Sequence, residues 1–122
     1  MERRELDPNV TYPEQLQDAV SGPVVLINQF NVDPEEAENL LEAWADDAAF
    51  MKEQPGFIST QLHRGTAGSS VFVNVAVWES AAALGAAFRS PEFQKRVAHY
   101  PASTVAAPHV FEKVAVAGIC VA

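Results

Sequence analysis

The sequence predicts an α+β domain of element order β-α-β-β-α-β, the ferredoxin-like split arrangement with a four-stranded antiparallel sheet and helices on one face. Three observations predict it. Four stretches carry the β-branched, extended pattern of strands: VVLINQFNV at 24–32, FISTQLHR at 57–64, VFVNVAVWES at 71–80 and HVFEKVAV at 109–116. Helical stretches fall between the first and second of these and between the third and fourth, each opened by a capping residue. The third strand has two apolar faces, with Val71, Val73, Val75 and Val77 on one side and Phe72, Asn74, Ala76 and Trp78 on the other. Helices can cover only one of them. A second copy of the sheet, packed face to face, is the simplest cover for the valine row, so a homodimer is expected.

Taken in order, residues 1–22 read as an extension. MERRELDPNV is polar, without the apolar stretch of a signal peptide, and Tyr12-Pro13-Glu14 opens a short helix through Val20. The domain proper spans 23–117. After the first strand, Asp33-Pro34 is an N-cap acceptor followed by proline at the first helical position, with Glu35 and Glu36 against the positive end of the dipole. That helix runs to about Gln54, with Ala37, Leu40, Leu41, Trp44, Ala48 and Met51 as its core-facing stripe and Glu35, Glu38, Glu42, Asp46 and Glu53 on the wet side. Pro55-Gly56 ends it. In the second strand Phe57, Ser59, Gln61 and His63 share one face, and Ile58, Thr60 and Leu62 the other. Gly65–Ser69 is a hairpin turn. Ser80 caps a helix to about Arg89, and Ser90-Pro91-Glu92 opens another to about His99. Tyr100–Pro108 reads as a loop that lids the pocket, followed by the last strand and an apolar tail at 118–122.

Composition bounds the function. The chain has 122 residues, 16 acidic against 8 basic side chains and a net charge of −8, which disfavours a phosphate-tracking nucleic-acid surface. No apolar run approaches the ~20 residues of a membrane span. Cys120 is the single cysteine, so no disulfide framework or cysteine metal site is expected, and a free thiol suits the cytoplasm. No Gly-rich phosphate loop, dinucleotide fingerprint or nucleophile elbow occurs, and no histidine–carboxylate set has metal-ligand spacing.

The order PGFISTQLHRG, VFVNVAVWES, SPEF and HVFEKV resembles the antibiotic biosynthesis monooxygenase domains of the dimeric α+β barrel superfamily, over roughly Pro23 to Val116. The resemblance implies a barrel of two sheets in a homodimer and a substrate cavity lined by His63, Asn74 and Trp78, with Asn28 as the first-strand asparagine. It further implies a cofactor-independent monooxygenase that oxidises an aromatic, polyketide-like phenol or anthrone to a quinone with O2. Leu84 stands where such enzymes carry an aromatic hydroxyl, and Arg96 is the nearest candidate for a cavity arginine. Haem-degrading relatives need a helix tryptophan and an iron-binding histidine; Ala87 and Val97 occupy those places, with His99 two residues off.

In this reading Asn74 and Asn28 hold substrate oxygen atoms, because an amide interrupting an apolar strand face needs a partner. Trp78 packs on an aromatic ring, and His63 assists proton transfer. Phe30, Trp44, Phe72 and Leu84 are expected to line the cavity. No cofactor or metal is expected beyond O2 as co-substrate. Haem binding, or a non-catalytic dimer holding a small apolar ligand, are the alternatives.

Overall fold

The computed structural model describes residues 1–18 and 20–122. Its elements are β1 (Glu2–Arg3), α1 (Tyr12–Leu16), β2 (Val24–Asn31), a 3-10 turn (Pro34–Glu36) leading into α2 (Ala37–Met51), β3 (Phe57–Arg64), β4 (Val71–Trp78), α3 (Ala81–Phe88), α4 (Pro91–Val97) and β5 (Val105–Phe111). The sheet runs β1-β5-β2-β4-β3. Its central β5-β2-β4-β3 portion is antiparallel and ferredoxin-like, as the residue pattern predicts, with α2, α3 and α4 on one side. No helix among the described residues is long and apolar enough to cross a membrane.

The sheet has five strands rather than four. Glu2 and Arg3 pair in parallel with Val105 and Ala106, through Glu2 N–H to Thr104 O and Arg4 N–H to Ala106 O, each at 2.8 Å. The last strand also begins four residues earlier than expected and ends at Phe111. Pro108 lies inside it, opposite Asn28. The outward side of β5 carries Ala106, Pro108 and Val110, whose N–H is taken by Gln15 Oε1 at 2.6 Å. A proline there removes no bond to β2, which is why the strand tolerates it. Residues 112–122, by contrast, leave the sheet, with a single bridge between Val116 and Cys120. The expected helix through Val20 includes position 19, outside the described residues, and α1 ends at Leu16.

Serine caps form as expected: Ser80 Oγ accepts from Ala83 N–H and Ser90 Oγ from Phe93 N–H. Asp33 makes no side-chain cap bond, and the chain enters α2 through the 3-10 turn instead. Gly56 has φ +88°, and a Cβ there would lie 2.4 Å from the Cβ of Ala83. It joins α2 to β3 where α3 comes closest.

Two apolar clusters fill the space between sheet and helices. One gathers Tyr12, Leu16, Val24, Leu26, Ala76, Trp78 and Leu84; the other gathers Phe30, Leu40, Phe72, Tyr100 and Ala106. Between them runs one row across the sheet, Pro108–Asn28–Asn74–Leu62. The two amides stand where the core divides.

Candidate functional site

A cavity of about 190 Å³ opens at that division. Its floor is the helix-facing side of β2 and β4, because alternation brings Leu26, Asn28 and Phe30 to the same side as Asn74, Ala76 and Trp78. Its roof comes from α2, with Trp44, Asp47 and Met51, and from α3 and α4, with Phe88, Phe93 and Val97. Met1, Arg3 and Tyr12 from the N-terminal segment close one side. Ala76 and Ala106 leave the volume that larger strand residues would fill.

Asn28 and Asn74 are direct cross-strand partners. Asn74 Oδ1 accepts from the Thr60 hydroxyl, which fixes the amide's orientation and turns its NH₂ to the other side. Asn28 Oδ1 is buried without a hydrogen-bond partner. Trp78 is 1% exposed and meets the Phe57 ring edge to face, with centroids 5.5 Å apart and planes at 90°.

Of the residues expected at the cavity, the fold brings together Asn28, Phe30, Trp44, Asn74 and Trp78. Three stand elsewhere. His63 lies opposite Val73 on the valine face, its ring nitrogen 3.3 Å from Val73 O. The expected face assignment of β3 holds only to Ile58, where a bulge shifts the register: Phe57 joins Thr60 and Leu62 under the helices, and Ser59, Gln61 and His63 turn to the open side. Phe72 and Leu84 are fully buried in the two clusters rather than on the cavity wall. The aromatic hydroxyl on the wall is Tyr12, brought by α1, and burial pushes its phenol well above the usual range. Arg96 lies over the Phe50 ring at 4.7 Å, close to Asp46 and outside the lining. Pro101 and Thr104 flank a tight turn, and the chain after it enters β5, so the expected lid is sheet rather than loop.

One charged residue of α2 on the cavity wall has no place among the residues expected there, Asp47. It follows Trp44 by three positions and precedes Met51 by four, so it stands on the sheet-facing stripe of α2. That carboxylate on an apolar stripe was the available signal. Tyr100 Oη donates to Asp47 Oδ2 at 2.8 Å, and the Tyr100 ring stacks on Phe30 with centroids 5.7 Å apart. Asp47 Oδ1 is buried with no partner. Burial raises its carboxyl to about 6; the Tyr100 hydrogen bond opposes this, Asp46 adds to it and Arg96 subtracts.

The arrangement does not fit haem. Val97, where an iron ligand would stand, presents only an isopropyl group to the cavity, and His99 is exposed beside Asp46, with Nδ1 4.0 Å from its carboxylate. Among the described residues no group of three or more His, Cys, Asp or Glu side chains is placed to hold a metal ion.

SnoaB, a cofactor-independent oxygenase from Streptomyces nogalater, is 27% identical over 80% of this chain and 99% of its own, with a TM-score of 0.68. A protein from Shewanella loihica provisionally assigned as a monooxygenase is 30% identical over 80% and 100% of the two chains, with a TM-score of 0.67. Rv0793 from Mycobacterium tuberculosis, at 20% identity and a TM-score of 0.65 over 79% of this chain and 99% of its own, shares the fold. No curated protein is significantly similar in sequence. Residues 23–99 match the antibiotic biosynthesis monooxygenase family, and the chain belongs to that family.

Proposed function

We propose that the protein is a cofactor-independent monooxygenase that oxidises an aromatic, polyketide-like phenol or anthrone to a quinone with O2. The observation that carries the reading is the amide row. Asn28 and Asn74 sit side by side at the division of the core, one with an unpartnered buried oxygen and the other with its NH₂ turned away from Thr60. Buried polar groups without partners mark either a cost or a ligand, and two adjacent amides lining one cavity favour the ligand. The similarity to SnoaB supports the same class of chemistry.

An electron-rich aromatic ring lies between Trp78 and Trp44, and the amides hold its oxygen atoms. Loss of a proton from the substrate leaves an anion, whose negative charge on oxygen the Asn74 NH₂ stabilises. The anion gives one electron to O2. The radical pair joins through a new C–O bond, and the peroxide loses water to leave the carbonyl. The protein supplies binding, charge stabilisation and a dry site rather than a redox group.

The proposal includes a homodimer, in which the valine faces of two copies pack on each other. Val71, Val73, Val75 and Val77 are each only partly buried within the single chain, which leaves that surface for a partner.

Asn74→Ala tests the reading. Quinone formation from a hydroxyanthrone, followed by absorbance, is expected to fall by roughly 10²-fold, the usual effect of removing one oxyanion donor. Unchanged turnover by a folded variant overturns the assignment.

A further inference from the structure

We propose that Asp47 is the general base that takes the proton from the substrate, and that Tyr100 is the positioning residue that holds it. The proposal rests on the oxygenase reading above and names the group that reading lacks. His63 cannot serve within its own cavity, since it stands on the opposite face of the sheet.

Geometry carries the argument. The Asp47 carboxylate shares one cavity with Asn28, Asn74 and Trp78. One oxygen is pinned from behind by Tyr100, itself buried and stacked on Phe30. The other oxygen, Oδ1, is buried and accepts nothing. A carboxylate oxygen stripped of water and given no donor is a costly arrangement for a purely structural group. It is the arrangement a proton acceptor needs. Tyr100 also fixes which oxygen stays free.

Elimination points the same way. Among the described residues, the ionisable side chains lining the cavity are Arg3, Tyr12 and Asp47. Arginine does not give up its charge, and burial keeps the Tyr12 phenol protonated. None of the three histidines lines the cavity: His63 faces the open side, His99 flanks Asp46, and His109 bonds to Gln15. The groups acting on Asp47 are Asp46 on α2, Arg96 on α4 and Tyr100 after it, and their balance with burial leaves the carboxyl at about 6. A base of that strength is mostly ionised at neutral pH yet able to hold a proton, which suits general-base catalysis.

The steps balance. The carboxylate removes one proton from the substrate's acidic CH₂ carbon, and the C–H electron pair stays on the substrate as an anion. The anion passes one electron to O2, and the resulting radical and superoxide combine into a C–O bond. The protonated Asp47 returns its proton to the peroxide oxygen. It then takes the remaining hydrogen of that carbon as a proton while the C–H electron pair forms the C=O bond and the O–O bond breaks. The hydroxide released takes that proton from Asp47, so water leaves and the carboxylate is restored.

The test uses the whole chain and 1,8-dihydroxyanthrone. Two rates are measured: quinone formation in air, and anaerobic exchange of the CH₂ protons for deuterium, which reads proton removal without oxygen. In Asp47→Asn both are expected to fall at least ~10²-fold, while quenching of tryptophan fluorescence still reports anthrone binding. Wild-type kcat/KM is expected to fall on the acid side with a midpoint near 6. Tyr100→Phe is expected to move that midpoint to higher pH, because the lost hydrogen bond favours the carboxylate. Wild-type rates in Asp47→Asn, or a flat acid limb from pH 5 to 8 in the wild type, overturn the base assignment and leave the oxygenase reading standing. A wild-type protein that neither exchanges nor oxidises the anthrone overturns both.

Discussion

Asp47 is held in its site against its own solvation. Its folded-state carboxyl titrates at about 6, against an ordinary value of 3.8. Below about pH 4 the carboxyl is protonated in both states and the burial is harmless. As pH rises from about 4 to about 6, the unfolded chain gives up its proton while the folded one keeps it. Stability falls across that window, and the loss is complete once the folded carboxyl ionises above about 6. At about 1.4 kcal/mol per pKa unit, the loss above that pH is on the order of 2–3 kcal/mol. Asp47→Asn keeps an acceptor for Tyr100 and carries no charge. Urea unfolding is therefore expected to show the variant more stable than wild type by about 1–3 kcal/mol at pH 7.5, with the gain gone at pH 4. Gained stability with lost turnover is the usual signature of a strained functional group. Of the candidate site residues, Asn74 and Trp78 were legible as neighbours because alternation puts them on one face of one strand, whereas Asn28, on another strand, entered through the family resemblance. His63 was not legible: a bulge at Ile58 reverses the later part of β3, and nothing in FISTQLHR announces it. Asp47 was half legible, since its spacing marks it but the width of a helix's apolar stripe is set by what packs on it.

At the scale of elements, capping residues and apolar periodicity locate the helices and the strands β2, β3 and β4, since those signals are local. The first and last strands were harder. β1 forms from Glu2 and Arg3, two residues with no strand propensity, because β5 offers unpaired backbone groups beside them. β5 was displaced in the sequence reading by Pro108, whose outward orientation depends on a register that only the assembled sheet defines. Gly56 is where an element boundary depends on a single missing atom. Its positive φ strains any other residue, and Ala83 occupies the space a side chain needs. Gly56→Ala is expected to cost about 3 kcal/mol from strain and overpacking together. Gly68, with φ +73° and open space around it, isolates the backbone part, so Gly68→Ala is expected to cost only about 1 kcal/mol. Denaturant midpoints of the two variants measure the difference. Equal costs would show that Ala83 yields freely.

For the whole molecule, the sheet divides the labour between its two sides. The helix side holds the cavity, and the open side presents a valine row with Val25 and Ile27 of β2 alongside. Four β-branched residues at every second position mark that face in the sequence, and in the single chain they are only partly buried. Val75 is central to it. Val75→Glu is expected to convert a dimer into a monomer in sedimentation equilibrium, since each copy would bury an unpaired charge. Each copy of the wild type carries a net charge of −8, so added salt is expected to tighten the pair rather than loosen it. A wild-type protein that sediments as a monomer removes the proposed interface. One small feature fixes how far the N-terminal wall of the cavity is tied to the sheet. The ladder between β1 and β5 uses Glu2 N–H and Arg4 N–H, and its next bond would need an N–H at position 108, where there is a proline. Pro108 therefore limits β1 to two residues, and Met1 and Arg3, the cavity wall it carries, hang on a ladder that cannot lengthen. Such a segment lies at the low end of the range of local opening free energies, far below the β2–β4 pair. Amide protons of residues 2 and 4 are therefore expected to exchange well before those of the β2–β4 pair, which hydrogen exchange measures directly.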